Sequence, residues 1–165
     1  MHYNINMKTI LFSILFFSIA YTSCVPSNVF EKNVAIPNCK WKNEFKPTYE
    51  FEITDTVSNY SLFLMMRHTD AYHYANIWLN IKTKMPNENE YTLMRIEVPL
   101  AQENGKWLAR KSMNEIYEHK ASLTGSGAVH FAKKGIYTIQ LEQIMRVNPL
   151  TEVMSVGIRL EKIVQ

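Results

Sequence analysis

Apolar residues alternate with polar ones along several separate stretches of the chain. In the first of them, Tyr49, Phe51 and Ile53 alternate with two glutamates and a threonine. A period of two residues is typical of a strand with one face buried and the other in water. The same period recurs over residues 60–66, 77–81, 92–98, 137–141 and 156–160. The pattern therefore predicts a β-strand in each of these stretches.

Residues that favour turns separate the alternating stretches. Asp, Asn, Pro, Gly and Ser are frequent at 70–73, 86–89, 103–105 and 124–127, where they permit tight reversals of the backbone. Long amphipathic helices do not alternate with the strands, which argues against a parallel α/β fold. We therefore expect residues 48–165 to form an all-β, antiparallel β-sandwich of the jelly-roll or immunoglobulin-like kind. Residues 112–121 could form one helical turn or a loop, and 142–146 a short helix or a strand end.

The chain opens with an apolar segment of a different kind. Residues 10–20 are apolar apart from Ser13 and Ser18, and Lys8 precedes them. Roughly eleven residues span about 16 Å as a helix, whereas a bilayer crossing takes about 20 residues. This layout predicts a secretory signal peptide over residues 1–23, with either Met1 or Met7 as the true start.

The apolar segment ends at a cysteine. Residues 21–24, Tyr-Thr-Ser-Cys, resemble a bacterial lipobox, in which the cysteine is acylated and becomes the first residue after cleavage. We expect Cys24 to carry a lipid anchor and residues 24–47 to form a tether whose later part, with Phe30 and Trp41, packs on the body. The alternative is soluble secretion with a disulfide between Cys24 and Cys39, the two cysteines of the chain.

Composition limits the class of protein. A chain of 165 residues with 47% apolar and 20% charged residues is long enough for one globular domain with a real core. Its formal net charge of +3 is too small to argue for nucleic acid as a partner.

Candidate catalytic and metal-binding residues are sparse. His68 and His73 flank Asp70 and could approach a metal ion in a hairpin loop, but a third ligand at a set spacing is missing. A loop histidine with ordinary hydrogen bonds is the simpler interpretation, and His119 stands alone in the sequence. The sequence therefore predicts no metal, no cofactor and no catalytic residues.

The order of several short motifs is more informative than any one of them. Met66-Arg-His-Thr is followed by Tyr72-His-Tyr-Ala-Asn-Ile-Trp-Leu and Gly105-Lys-Trp-Leu. Gly135-Ile-Tyr, Gln143-Ile-Met-Arg and Val156-Gly-Ile-Arg-Leu-Glu come next. This succession resembles the gliding motility lipoprotein family GldH of the Bacteroidetes, and the resemblance extends from about residue 30 to residue 162.

The resemblance implies a function that involves no catalysis. Members of the family are non-enzymatic lipoproteins needed for gliding over surfaces, alongside envelope machinery tied to type IX secretion. Carried over to this chain, the acylated residue is Cys24, and Arg67, Tyr72, Asn76 and Trp78 match the central motif. Those four positions are expected to serve the scaffold first and a candidate interaction surface second. The implied partners are other gliding or envelope proteins and a membrane, reached through the anchor. Because no acidic cluster follows Cys24, as one does in surface-exported lipoproteins, we expect the body to face the periplasm, from either the inner or the outer membrane.

Two other functions stay open at the level of sequence. A carbohydrate-binding envelope lipoprotein would need an exposed row of rings, for which Tyr72, Tyr74 and Trp78 are the candidates. A hydrolase would need two carboxylates that meet only in three dimensions. Glu50 and Glu52 share one face of a strand, which is more typical of a solvated surface.

Overall fold

The computed structural model describes residues 29–125 and 127–163. The predicted signal peptide and Cys24 lie outside these residues. Two short 3-10 turns, Pro37–Cys39 and Met113–Glu115, are the helical elements of the described chain, and no helix in it is long and apolar enough to cross a membrane. The strands are β1 (Val29–Ala35), β2 (Lys40–Trp41), β3 (Thr48–Ile53), β4 (Asn59–Thr69), β5 (Asn76–Lys84), β6 (Thr92–Pro99), β7 (Arg110–Lys111), β8 (Ile116–Ser122), β9 (Val129–His130), β10 (Gly135–Gln143), β11 (Leu150–Thr151) and β12 (Val153–Lys162).

The strands form two main antiparallel sheets. The first sheet has the order β1-β12-β4-β8-β7, with β9 paired to β4, and the second has the order β3-β10-β5-β6. A small pair, β11-β2, lies beside them. This arrangement confirms the predicted all-β antiparallel sandwich.

The alternating residues supply the core between the sheets. On β4, Leu64 and Met66 are buried while their neighbours face outward, and β3 buries every second residue. A hydrogen bond also joins the sheets: Tyr49 Oη, on β3, donates to the carbonyl of Val156, on β12, over 2.7 Å. The burial that this contact requires raises the pKa of Tyr49. The two sheets are thus held together by apolar burial with a buried polar contact within it.

The body begins earlier than the predicted boundary at residue 48. β1 pairs with β12 from Val29 to Ala35, and Trp41 is fully buried, with its Nε1 donating to the carbonyl of Phe45 over 2.8 Å. β1 lacks a clean alternation because it is an edge strand, exposed at three successive residues. Its sequence therefore resembles that of a linker.

Of the two segments that the sequence left open, 112–121 is mainly strand, and 142–146 contains the end of a strand. After the turn at Met113–Glu115, in which Asn114 and Glu115 have positive φ, residues 116–122 form β8 and pair with β4. β10 continues to Gln143 before the chain leaves the sheet.

The long strands give the sandwich two distinct ends. β1 enters at Val29, opposite Glu161, close to the start of β4, where Tyr60 pairs with Lys162. We call this the near end; it comprises the loops 54–58, 85–91 and 131–134 and residue 163. The far end comprises the loops 70–75, 102–106 and 144–149. Because β4 has eleven residues, the two ends lie roughly 33 Å apart.

Candidate functional site

The four positions of the central motif are not brought together on one surface. Arg67 lies on the outer face of the first sheet, exposed on β4, whereas Asn76 and Trp78 lie half-buried on the outer face of the second. Tyr72 is 3% exposed and belongs to the core. The loop 70–75 crosses from one sheet to the other, which separates residues that are close in sequence.

Arg67 belongs to a row of ion pairs across the first sheet. Its Nε lies 3.3 Å from Glu118, which also pairs with Arg110. These bases lower the pKa of Glu118. The row continues in Arg159, which contacts Glu31 over 2.6 Å and Glu161 over 2.5 Å, and in Lys120, which contacts Glu161 over 2.7 Å. A shallow cavity of about 420 Å³ lies among these side chains. Because each carboxylate already has a basic partner, this face offers little unpaired charge to a ligand.

Trp78 belongs to a groove at the far end of the second sheet. The groove has a volume of about 430 Å³. The guanidinium of Arg95 lies over the Trp78 ring, 5.4 Å from its centroid, and the backbone N–H of Trp78 contacts the sulfur of Met145 over 3.3 Å. The first contact orients the arginine over the indole, and the second holds the Met145 side chain against the backbone of β5. The lining residues are Tyr74, Trp78, Arg95, Ile144, Met145, Arg146 and Val147.

The groove combines positive charge with apolar surface. Arg95 and Arg146 are its charged side chains, and none of the described residues that line it is acidic. The nearby acids have other partners: Glu97 accepts from Asn76 over 2.5 Å, and Glu142 pairs with Lys46 over 2.9 Å. Arginine and aromatic residues are also the types that dominate binding energy at protein interfaces. The arrangement suits a ligand that carries a carboxylate next to an apolar side chain.

The three rings considered for sugar stacking do not form an exposed row. Tyr72 packs in the core beside Trp107, with ring centroids 6.2 Å apart, and its Oη donates to the carbonyl of Asn76 over 3.1 Å. Burial raises the pKa of Tyr72. Tyr74 meets the edge of Tyr72 at 5.7 Å. Tyr72 thus acts as a support that fixes the start of β5, two residues before Trp78.

A buried histidine pair is the feature that sequence reasoning missed. His68 Nε2 and His119 Nε2 are 2.8 Å apart, and His68 Nδ1 lies 2.6 Å from the carbonyl of Thr69. His73 is exposed, so it does not join His68. The described residues contain no group of three His, Cys, Asp or Glu that could hold a metal ion. The sequence did contain an indication that His68 is buried, because His68 continues the inward-facing row of β4 that runs through Leu64 and Met66.

Comparisons with known proteins agree with the motif order. A family model described as GldH lipoprotein matches residues 28–160. The chain belongs to the GldH lipoprotein family. A relative named gliding motility lipoprotein GldH homolog, from Christiangramia forsetii, is 26% identical over 159 residues, which cover 92% of this chain and 94% of the relative. Family membership confirms the predicted resemblance and indicates a membrane-anchored lipoprotein of the cell envelope.

A search of solved structures gives a weak match. It is a carbohydrate-binding module specific for non-crystalline cellulose, with a TM-score of 0.43 and 10% sequence identity. The match covers 80% of this chain and 72% of the module.

Proposed function

We propose that this chain is a non-enzymatic component of the gliding machinery, and of the envelope assembly linked to type IX secretion, that acts by contact with other envelope proteins. The observation that carries the proposal is the family match over residues 28–160. The name of the Christiangramia forsetii relative, which refers to gliding motility, supports it. The body is a sandwich with a filled core, so the side chains it presents to partners are those on its outer faces and end loops.

The anchor in this proposal is an acylated Cys24, with the body on the periplasmic side. Residues 25–28 separate Cys24 from Val29, the first residue of β1. Even fully extended, this link spans only about 17 Å. The near end is therefore held close to the membrane, and the groove lies at the opposite end of the sandwich, roughly 30 Å from the near end.

The groove is the proposed contact site, and its occupant is an extended protein segment with an acidic residue beside an aliphatic or aromatic one. Arg95 and Arg146 would pair with the carboxylate, while Ile144, Met145 and Val147 would cover the apolar side chain. A polysaccharide fits less well. Its hydroxyl groups need acceptors as well as donors, and the lining that the structure describes includes no Asp, Glu, Asn or Gln. One face of Trp78 is already covered by Arg95.

The test is site-specific photo-crosslinking of the full-length lipoprotein in its native envelope. A photoreactive residue at Val147, in the groove, is expected to capture an envelope protein, whereas one at Ile136, at the near end, should not capture the same protein. The double variant Arg95→Glu/Arg146→Glu should abolish the Val147 product and impair gliding, because it reverses the charge of the groove. Arg110→Glu, on the other sheet, is the matched control. Normal gliding and unchanged crosslinks in the double variant would refute the groove as the contact site.

A further inference from the structure

Exposed apolar side chains are concentrated at one end of the sandwich. Among the described residues, nine large hydrophobic side chains are exposed, and seven of them belong to the near end or to the half of a strand that leads into it. The other two, Leu108 and Val147, lie toward the far end. Isolated apolar residues on a surface are ordinary, but a concentration at one pole marks a site of contact. The seven are Val57, Met85, Tyr91, Leu93, Met94, Ile136 and Ile163.

The start of β6 shows how exposed this end is. Leu93 and Met94 point to opposite faces of the sheet, yet they are 57% and 43% exposed. At the same end, Val57 is 89% exposed in the loop between β3 and β4. Burying such side chains would be favourable by roughly 25 cal/mol for each Å² removed from water. Nothing within the described chain covers them.

Basic and aromatic groups accompany the apolar ones. Lys84 Nζ lies 5.7 Å from the centroid of the Tyr91 ring. Lys133 and Lys134 precede β10, and Lys133 pairs with Glu88 over 2.7 Å. Tyrosine and lysine are typical of the boundary between lipid headgroups and water, where the ring and the long stem are apolar and the tip is polar.

The position of the anchor places the near end beside the membrane. This step rests on the proposed acylation of Cys24. Val29 of β1 lies opposite Glu161, so the link from Cys24 to Val29 reaches the described body at the near end. At about 17 Å, that link is too short to hold the near end far from the headgroup region.

We propose that the near end of the sandwich rests on the lipid leaflet in which Cys24 is anchored. The apolar side chains of the near end enter the interface between headgroups and acyl chains, and Lys84 and Lys134 point to lipid phosphates. The body is then a second membrane contact beside the acyl chains, and its orientation is fixed instead of free.

The test compares two exposed leucines in the mature lipidated protein, reconstituted in vesicles of phosphatidylethanolamine and phosphatidylglycerol. In a Cys39→Ser background, Leu93→Cys and Leu108→Cys are each labelled with a polarity-sensitive dye, and spin-labelled lipids serve as quenchers. We expect loss of most emission at position 93 and none at position 108. Leu93→Glu should also speed transfer of the protein between vesicles about tenfold, since one buried leucine is lost. Leu108→Glu should leave transfer unchanged.

The experiment distinguishes a missing lipid contact of the body from a missing lipid anchor at Cys24. If the protein floats with the vesicles but both dyes stay unquenched, the anchor holds and the lipid contact of the body is refuted. Shielding of position 93 in native envelopes but not in vesicles would also refute it, because a protein partner would then cover the near end. If the lipidated protein does not float with vesicles, both the anchor and the contact are refuted.

Discussion

At the scale of single residues, His68 and His119 have a proton arrangement that their neighbours dictate. The carbonyl of Thr69 can only accept, so His68 Nδ1 carries a proton and donates it. His68 Nε2 is then an acceptor, and His119 Nε2 must be the donor in the contact of 2.8 Å. Within the part of the chain that the structure describes, His119 Nδ1 has no hydrogen-bond partner. Both rings are neutral in this arrangement, and a further proton would place an uncompensated charge in the core.

Stability should therefore fall in mild acid. Burial lowers the pKa of both histidines, and that of His119 falls to about 4, with His68 as a further cause and the backbone of Leu108 as an opposing one. When the pKa of a histidine is lower in the folded state than in the unfolded state, its contribution to the free energy of unfolding is complete above the unfolded pKa of about 6.5. As pH falls from about 6.5 to about 4, the unfolded state binds the proton more readily, and the free energy of unfolding drops by on the order of 3 kcal/mol for His119.

Urea unfolding between about pH 7.5 and about pH 4.5 measures this effect. Replacing both residues, His68→Leu/His119→Leu, should flatten the pH dependence in that interval, because neither leucine titrates. The exposed His73 provides the control, since His73→Gln should keep the dependence of the wild type. A double variant with the same slope as the wild type would show that other groups cause it.

At the scale of elements, β6 has one paired edge and one open edge. The N–H of Leu100 donates to the carbonyl of Ala75 over 2.7 Å, and that of Ile144 donates to Trp78 over 3.0 Å. With the register of β5 and β6, this places the backbone groups of Met94 and Ile96 toward β5 and those of Leu93 and Arg95 away from it. No strand of the described chain pairs with that outer edge.

Amide hydrogen exchange measured by NMR should alternate along β6. Leu93 and Arg95 should exchange quickly because their N–H groups face solvent, and Met94 and Ile96 slowly because theirs are bonded within the sheet. Equal protection at all four positions would mean that another strand covers the edge. The strands buried between neighbours, such as β4, should show protection at every position.

Elements with a strict period of two were predictable from sequence, and the others were not. The stretches around Phe51 of β3, Leu64 of β4 and Leu79 of β5 alternate because one face is buried and the other is wet. β1 does not alternate, and β2, β7, β9 and β11 have only two residues each, too few to show a period. The requirement for glycine at position 157 also could not be predicted from sequence. A Cβ there would lie 2.5 Å from the carbonyl oxygen of Lys32 on β1. This constraint exists only once β1 and β12 are paired.

At the scale of the whole molecule, the two ends of the sandwich have different surfaces. In the proposed arrangement, lipid and exposed apolar residues meet at the near end, and the cationic groove opens at the far end. The strand β4, which is buried in the first sheet, connects the two ends. The sandwich then works as a rigid spacer that holds a binding groove at a fixed height above a membrane.

Removing the anchor should separate tethering from folding. Cys24→Ala is expected to abolish incorporation of labelled palmitate and to release a soluble periplasmic protein. Its melting temperature should stay that of the wild type, because the core comes from residues 36–160. Metabolic labelling, fractionation and thermal unfolding measure the three outcomes. Full retention of Cys24→Ala on membranes after a carbonate wash would point to a different anchor.

The sequence by itself determined the fold class, the family and the expected anchor residue. Period-two alternation is a local property, and the order of the motifs, like the run that ends at Cys24, is read along the chain. The tertiary structure decided which residues share a surface. Tyr72 lies in the core, and His68 contacts His119 on a neighbouring strand. The groove is formed by β5, β6 and the segment after β10. Such sites combine residues from distant parts of the chain, and their proximity depends on strand register and on the crossing between sheets, which no local pattern records.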